Sequence, residues 1–286
     1  MIQNTANIHK FNAAEAWMTQ RPALSFYLLT LTLSWGYWLT LLALNTRVGS
    51  GSGAHFPGLL GPMLAAIAVT ALIGGREALL RLFRRMFRLG PNWAADLMLA
   101  ISPLALGAAA YIATVVLGKP LPSSGAFAQV PGLPESWPFA AVLAAVIMVN
   151  GFGEETGWRG FLLERLLPKQ GRVRATLVVS LAWAFWHLPL FWLSTGMSTM
   201  KGPVMIGWLF ALACGAFVLT QVYLATGRSI LCVALWHVAF NMMLSAGAST
   251  GLVAAIVSTA VMVWGVIVAI RWWRAPKGCT RSPGST

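Results

Sequence analysis

The sequence predicts an all-α fold, a polytopic membrane helix bundle of about eight transmembrane helices. Three observations predict it. The 286-residue chain is 58% hydrophobic and only 9% charged, with mean hydropathy +0.72, whereas soluble domains carry roughly 25% charged residues. Apolar runs close to the ~20 residues needed for a crossing recur along its length. These runs are rich in Leu, Ala, Val and Trp without strict alternation, and a backbone in lipid must satisfy its own hydrogen bonds, so they read as helices.

The chain divides in order. Residues 1–22 are polar and mixed, without the basic-then-apolar layout of a cleaved signal, and form an expected cytoplasmic arm. The first span, about 23–44, is then the uncleaved insertion signal. Further spans are expected at about 57–74, 95–117, 138–162, 175–193, 203–224, 230–246 and 252–270, of which the second and seventh are short. Together they make one integral membrane domain over 23–270, since no connection is long enough for a folded soluble domain. Residues 119–137 are rich in Pro, Ser and Gly and form an irregular loop, and 271–286 a basic tail.

Charge orients these elements. The formal net charge is +13, and its distribution marks loops rather than a nucleic-acid footprint. With both termini cytoplasmic, 16 Lys and Arg fall inside and only Arg47, Lys119 and Lys201 outside, with Arg159 left within a span. That is the positive-inside pattern, and it requires an even number of spans. The segment from Arg76 to Arg88 is basic and amphipathic; it reads first as a topology-setting loop and secondly as a strip for an anionic leaflet. Cys214, Cys232 and Cys279 make no CxxC motif or paired framework. A prokaryotic plasma membrane is the expected location, since no organelle-type signal is visible.

Against this background the ionisable residues stand out. Only seven acidic residues occur, and two are adjacent, Glu154 and Glu155, after an apolar run. An ionisable group at membrane depth costs a few kcal/mol and by default marks a functional site. His9 and His55 lie in polar segments and read as solvated, whereas His187 and His237 lie within spans and need polar partners. On helices, residues four apart share a face. Arg159 can therefore hold Glu155, Trp183 stacks one turn from His187, and Asn241 shares a face with His237. Glu154 lies about 100° round from Glu155, and Pro189 weakens the helix after His187. Three helices thus carry Glu-Glu-x-x-x-Arg, Trp-x-x-x-His and His-x-x-x-Asn, expected to converge on one cavity open to the cytoplasm.

Glu154-Glu155-Thr-Gly-Trp-Arg159, Trp183-Ala-Phe-Trp-His187 and His237-Val-Ala-Phe-Asn241 resemble the three motifs of the CPBP intramembrane proteases. These are the CAAX protease and bacteriocin-processing family, also called Abi, and include the type II CAAX prenyl endopeptidases. The resemblance covers about 120–246, the expected protease core. One departure is Trp183, where the family usually has Phe; packing is its expected role.

The resemblance implies an intramembrane endopeptidase acting on a membrane-associated protein or peptide, with CAAX-type prenylated proteins as one substrate class. Glu154 would be the general base for a water held jointly with His187, and His237 and Asn241 would donate to the developing oxyanion. Glu155, Arg159 and Trp183 would support them. A metalloprotease is the competing account, with Glu154, His187 and His237 as ligands of a catalytic Zn²⁺, although no HExxH is present. Three further readings stay open: a polar cluster that only fastens helices, a non-catalytic scaffold or bacteriocin-immunity-type protein, and a proton-coupled transporter. Membrane lipid and a membrane-associated protein are the expected partners, with no nucleic acid.

Overall fold

The computed structural model describes residues 13–49, 55–249 and 251–275. His9, Cys279, and most of the expected arm and tail lie outside these residues. The regular structure of the described residues is helical, with no strand and an isolated bridge between Val48 and Ser194. In order the α-helices are α1 (Ala13–Gln20), α2 (Pro22–Ala43), α3 (Phe56–Leu59), α4 (Gly61–Phe87), α5 (Trp93–Ala100), α6 (Ser102–Val116), α7 (Phe139–Val146), α8 (Gly153–Gly157), α9 (Glu164–Trp186), α10 (Leu190–Leu193), α11 (Thr195–Ser198), α12 (Pro203–Ala225), α13 (Ile230–Ser245) and α14 (Leu252–Arg274). Two π-helical turns, Ile147–Phe152 and Trp158–Leu163, flank α8.

Five of these stretches are long and apolar enough to cross a membrane, and six if α5 and α6, bent by 47°, form one span. The chain is an integral membrane helix bundle, but this criterion does not reach the expected eight, for two physical reasons. First, α13 has only 16 residues, about 24 Å against a hydrocarbon core of about 30 Å. Second, the fourth and fifth expected spans run on as one 55-residue element, Phe139–Leu193. That element is not straight. Glu154 and Trp183 would lie about 43 Å apart on a continuous helix, yet they are joined by a 2.8 Å hydrogen bond. The reversal occurs at Gly171 (φ 71°, ψ 174°), a backbone conformation open to glycine and strained for other residues. Gly75 (φ 60°, ψ −163°) breaks α4 in the same manner and separates the crossing segment from the basic stretch after it.

The fifth expected span also ends early. Pro189 lacks an N–H, so α9 stops at Trp186 and the chain restarts as α10. The carbonyl of Trp186 is taken up by the indole N–H of Trp35 at 2.9 Å, and Tyr27 donates to Ala182 O at 3.1 Å. These bonds tie α2 along α9. Below them Phe26, Trp158, Phe161 and Trp186 form an aromatic cluster, with Phe26 stacked on Phe161 at 4.9 Å.

Most helices keep a lipid-facing side, but residues 151–163 are buried without interruption. Glycine makes this possible. A Cβ on Gly157 would come within 2.5 Å of Pro62 Cβ, and one on Gly153 within 3.0 Å of the Leu59 carbonyl. These glycines are four apart on one face, so α8 seats its backbone directly on the end of α3 and the start of α4, as small residues permit in membranes. The two carboxylates project from the centre of this segment.

Candidate active site

The site is assembled from three elements. α8 supplies Glu154 and Glu155, and the π-turn after it supplies Arg159. The end of α9 supplies Trp183 and His187, and α13 supplies His237 and Asn241. Glu154 is 3% exposed, Glu155 and Arg159 are fully enclosed, and His237 is 4% exposed. Charge buried to this degree is tolerable only when paired and hydrogen-bonded; each group has a partner, although Glu155 Oε2 and Arg159 Nε and Nη2 have no hydrogen bond among the described residues.

Glu155 accepts at one oxygen from both sides. Arg159 Nη1 donates to Glu155 Oε1 at 2.7 Å, and His237 Nδ1 lies 2.7 Å from the same oxygen. Since Glu155 is ion-paired to Arg159, its carboxylate can only accept, so His237 Nδ1 carries a proton. The Arg159 guanidinium also lies 4.9 Å from the centre of the Trp183 ring, an attractive cation–π arrangement. The i, i+4 spacing of Glu155 and Arg159 holds although the helix turns π-type at Trp158.

Glu154 faces elsewhere. Trp183 Nε1 donates to its Oε2 at 2.8 Å, and Asn150 Nδ2 to its Oε1 at 3.4 Å. The expectation of Trp183 as a packing residue thus omitted its indole N–H, a donor that phenylalanine would lack. Asn150 is a polar neighbour not singled out from the sequence, although its position one turn before Glu154 would have revealed it.

His187 is half-buried at the C-terminal end of α9. Its Nδ1 is 2.7 Å from the carbonyl oxygen of Trp183. A carbonyl only accepts, so Nδ1 bears the proton and Nε2 of the neutral ring keeps its lone pair. The Trp183 ring is 5.6 Å from that of His187 and 5.6 Å, edge-on, from that of His237. Trp183 is therefore a hub: its indole N–H holds Glu154 while its ring lies against two imidazoles, His187 after its own helix and His237 on α13. Asn241 is half-buried and makes no hydrogen bond to these residues.

Among the described residues no three His, Cys, Asp or Glu side chains are grouped as an ion would require. The Nδ1 atoms of both histidines are committed, and both oxygens of Glu154 receive N–H donors.

Comparison with known proteins agrees with the motifs. Residues 136–243 match the family model described as type II CAAX prenyl endopeptidase Rce1-like. CAAX prenyl protease 2 of Methanococcus maripaludis is 22% identical over 227 residues, covering 76% of this chain and 82% of the relative. The matched segment contains all three motifs and every residue of the buried constellation. Over residues 136–243 the chain is therefore similar to the Rce1-like family of type II CAAX prenyl endopeptidases.

Proposed function

We propose that this chain is an intramembrane endopeptidase that hydrolyses a peptide bond in a membrane-associated, CAAX-type protein or peptide. The observation that carries the reading is the buried Glu154 carboxylate held by the Trp183 indole, whose ring lies against the imidazoles of His187 and His237. A helix-fastening cluster has no need of a second carboxylate; Glu155 with Arg159 and His237 already does that work.

Peptide hydrolysis needs an activated water, a stabilised oxyanion and a proton for the leaving amine. In this reading the Glu154 carboxylate removes one proton from a water whose other O–H is donated to His187 Nε2. The oxygen adds to the carbonyl carbon, and negative charge moves to the carbonyl oxygen. Asn241 and His237 Nε2 donate to that oxygen. Because His237 already donates from Nδ1 to Glu155, it performs this step with both ring nitrogens protonated. The buried ionised groups then balance, with Glu154 and Glu155 against Arg159 and His237. Collapse of the tetrahedral species breaks the C–N bond, and protonated Glu154 returns its proton to the amine. No step is routed through a metal.

The basic end of the bundle is assigned to the cytoplasm of a prokaryotic plasma membrane, following the excess of Arg and Lys there. The test uses purified full-length protein and a peptide ending in a prenylated CaaX sequence, the natural form of such termini. Mass spectrometry should detect a shortened product carrying the prenyl group. If no peptide bond is cut, while a cellular phenotype survives in Glu154→Ala, His187→Ala and His237→Ala, the non-catalytic scaffold reading replaces the enzyme.

A further inference from the structure

Away from the carboxylate site, at the end of the bundle where α4 stops, a cavity of about 550 Å³ opens. Five arginines line it, Arg81, Arg84, Arg85, Arg88 and Arg165, against the single carboxylate of Glu164. Arg81, Arg84 and Arg85 project from consecutive turns of α4 beyond the Gly75 break, and Arg88 closes the helix end.

Glu164 cannot neutralise this set. It already serves Arg228 at 2.9 Å, Arg85 at 3.7 Å and the hydroxyl of Tyr223 at 3.1 Å. Arg85 and Arg88 are oriented by Tyr223 and by the carbonyls of Gly160 and Gly227 at 2.7–2.8 Å. Those bonds fix the guanidinium groups without cancelling their charge. Arg165 bonds only the Phe161 carbonyl, at 3.2 Å, and lies over the Phe161 ring. Arg84 bonds no other described residue. Arg81 is paired to the exposed Glu77 at 3.6 Å, so among the described residues the five arginines face two carboxylates, and the cavity is a preformed cradle with cationic charge in excess.

We infer that this cavity binds the phosphate of an anionic phospholipid headgroup. Guanidinium groups suit phosphate because their paired donors match its oxygens, and a phosphate offers more oxygens to converging arginines than a carboxylate does. The lipid source follows from position. Exposed Leu80 and Phe87 flank the arginines on the same helix, an arrangement that seats apolar side chains at the acyl boundary and cations among headgroups. The same end of the bundle carries Arg172 beside Trp272 of α14 and Arg228 beside Glu164, so the surroundings also favour anionic lipid. This inference does not depend on proteolysis.

The test is native mass spectrometry of the full chain in neutral detergent, offered phosphatidylglycerol or phosphatidylcholine. Retention of phosphatidylglycerol over phosphatidylcholine is expected. The double variant Arg84→Gln/Arg165→Gln should weaken that retention roughly 10- to 30-fold, and Arg84→Gln alone, at an exposed position, roughly 5-fold. Arg274→Gln, outside the cavity, should change nothing. Equal retention of both lipids, or equal loss in Arg274→Gln, would overturn the site. If millimolar inorganic phosphate displaces the lipid and is retained without it, a soluble anion is the ligand and the lipid assignment fails.

Discussion

Trp183 Nε1 donates to Glu154 Oε2 at 2.8 Å across 29 positions of sequence, and its ring touches both site histidines. A hydrogen bond to an ionised group contributes roughly 1.5–3 kcal/mol. Trp183→Phe keeps the aromatic contact but removes the donor. It should lower kcat for a CaaX peptide about 10- to 100-fold, with KM nearly unchanged, because Glu154 acts on the water rather than on substrate binding. A rise confined to KM would assign Trp183 to the substrate pocket instead.

The two adjacent glutamates should separate by readout. Glu155 holds Arg159 and His237 through one oxygen and is fully buried. Removing one partner of a buried pair strands the other, at about 3–5 kcal/mol. Glu155→Ala should therefore cut thermal stability and the yield of folded protein in detergent, as well as activity. Glu154→Gln retains the shape and an acceptor for Trp183, so its melting temperature should stay within about 3 °C of the parent. Equal melting of the two variants would contradict the division of roles.

Gly157 tests the scaffold beneath the site. An added Cβ would meet Pro62 at 2.5 Å and the Pro62 backbone at 2.7–2.8 Å. Gly157→Ala should displace α8 from α4 and destabilise by about 1–3 kcal/mol, with activity falling as the carboxylates shift. Gly207→Ala, where an added Cβ meets no atom within 4 Å, is the matching control and should be close to neutral.

Metal removal gives a fourth expectation. If the Glu154 carboxylate, held by Trp183 and Asn150, activates the water without a metal ion, prolonged dialysis against a chelator should leave cleavage within about two-fold of the untreated rate, a change of under ~0.5 kcal/mol in the barrier. Loss of activity restored by stoichiometric Zn²⁺ would show that these side chains rearrange around an ion.

The helical bundle was legible because hydropathy is a property of long windows and lipid permits few backbone solutions. Glu155 with Arg159, and Trp183 with His187, were legible because helical spacing alone puts them together. What remained hidden depends on tertiary packing. Nothing local marks Ile147–Phe152 and Trp158–Leu163 as π-helical; such turns recur at functional sites, and these two flank the segment pressed onto Pro62. The bond from Trp183 to Glu154 joins two legs of a hairpin at Gly171, a glycine indistinguishable in sequence from its neighbours in other loops. The commitment of His237 Nδ1 to Glu155 likewise required knowing which imidazole face meets α8.

The measurement that bears most directly on Glu154 as the base is the single-turnover cleavage rate of purified Glu154→Gln on a prenylated CaaX peptide, beside the parent protein at equal folded concentration. Loss of the proton acceptor should slow the reaction by at least about 10³-fold, with peptide affinity preserved. Cleavage at the parental rate would mean that the water is activated elsewhere, and the assignment of Glu154 would be wrong.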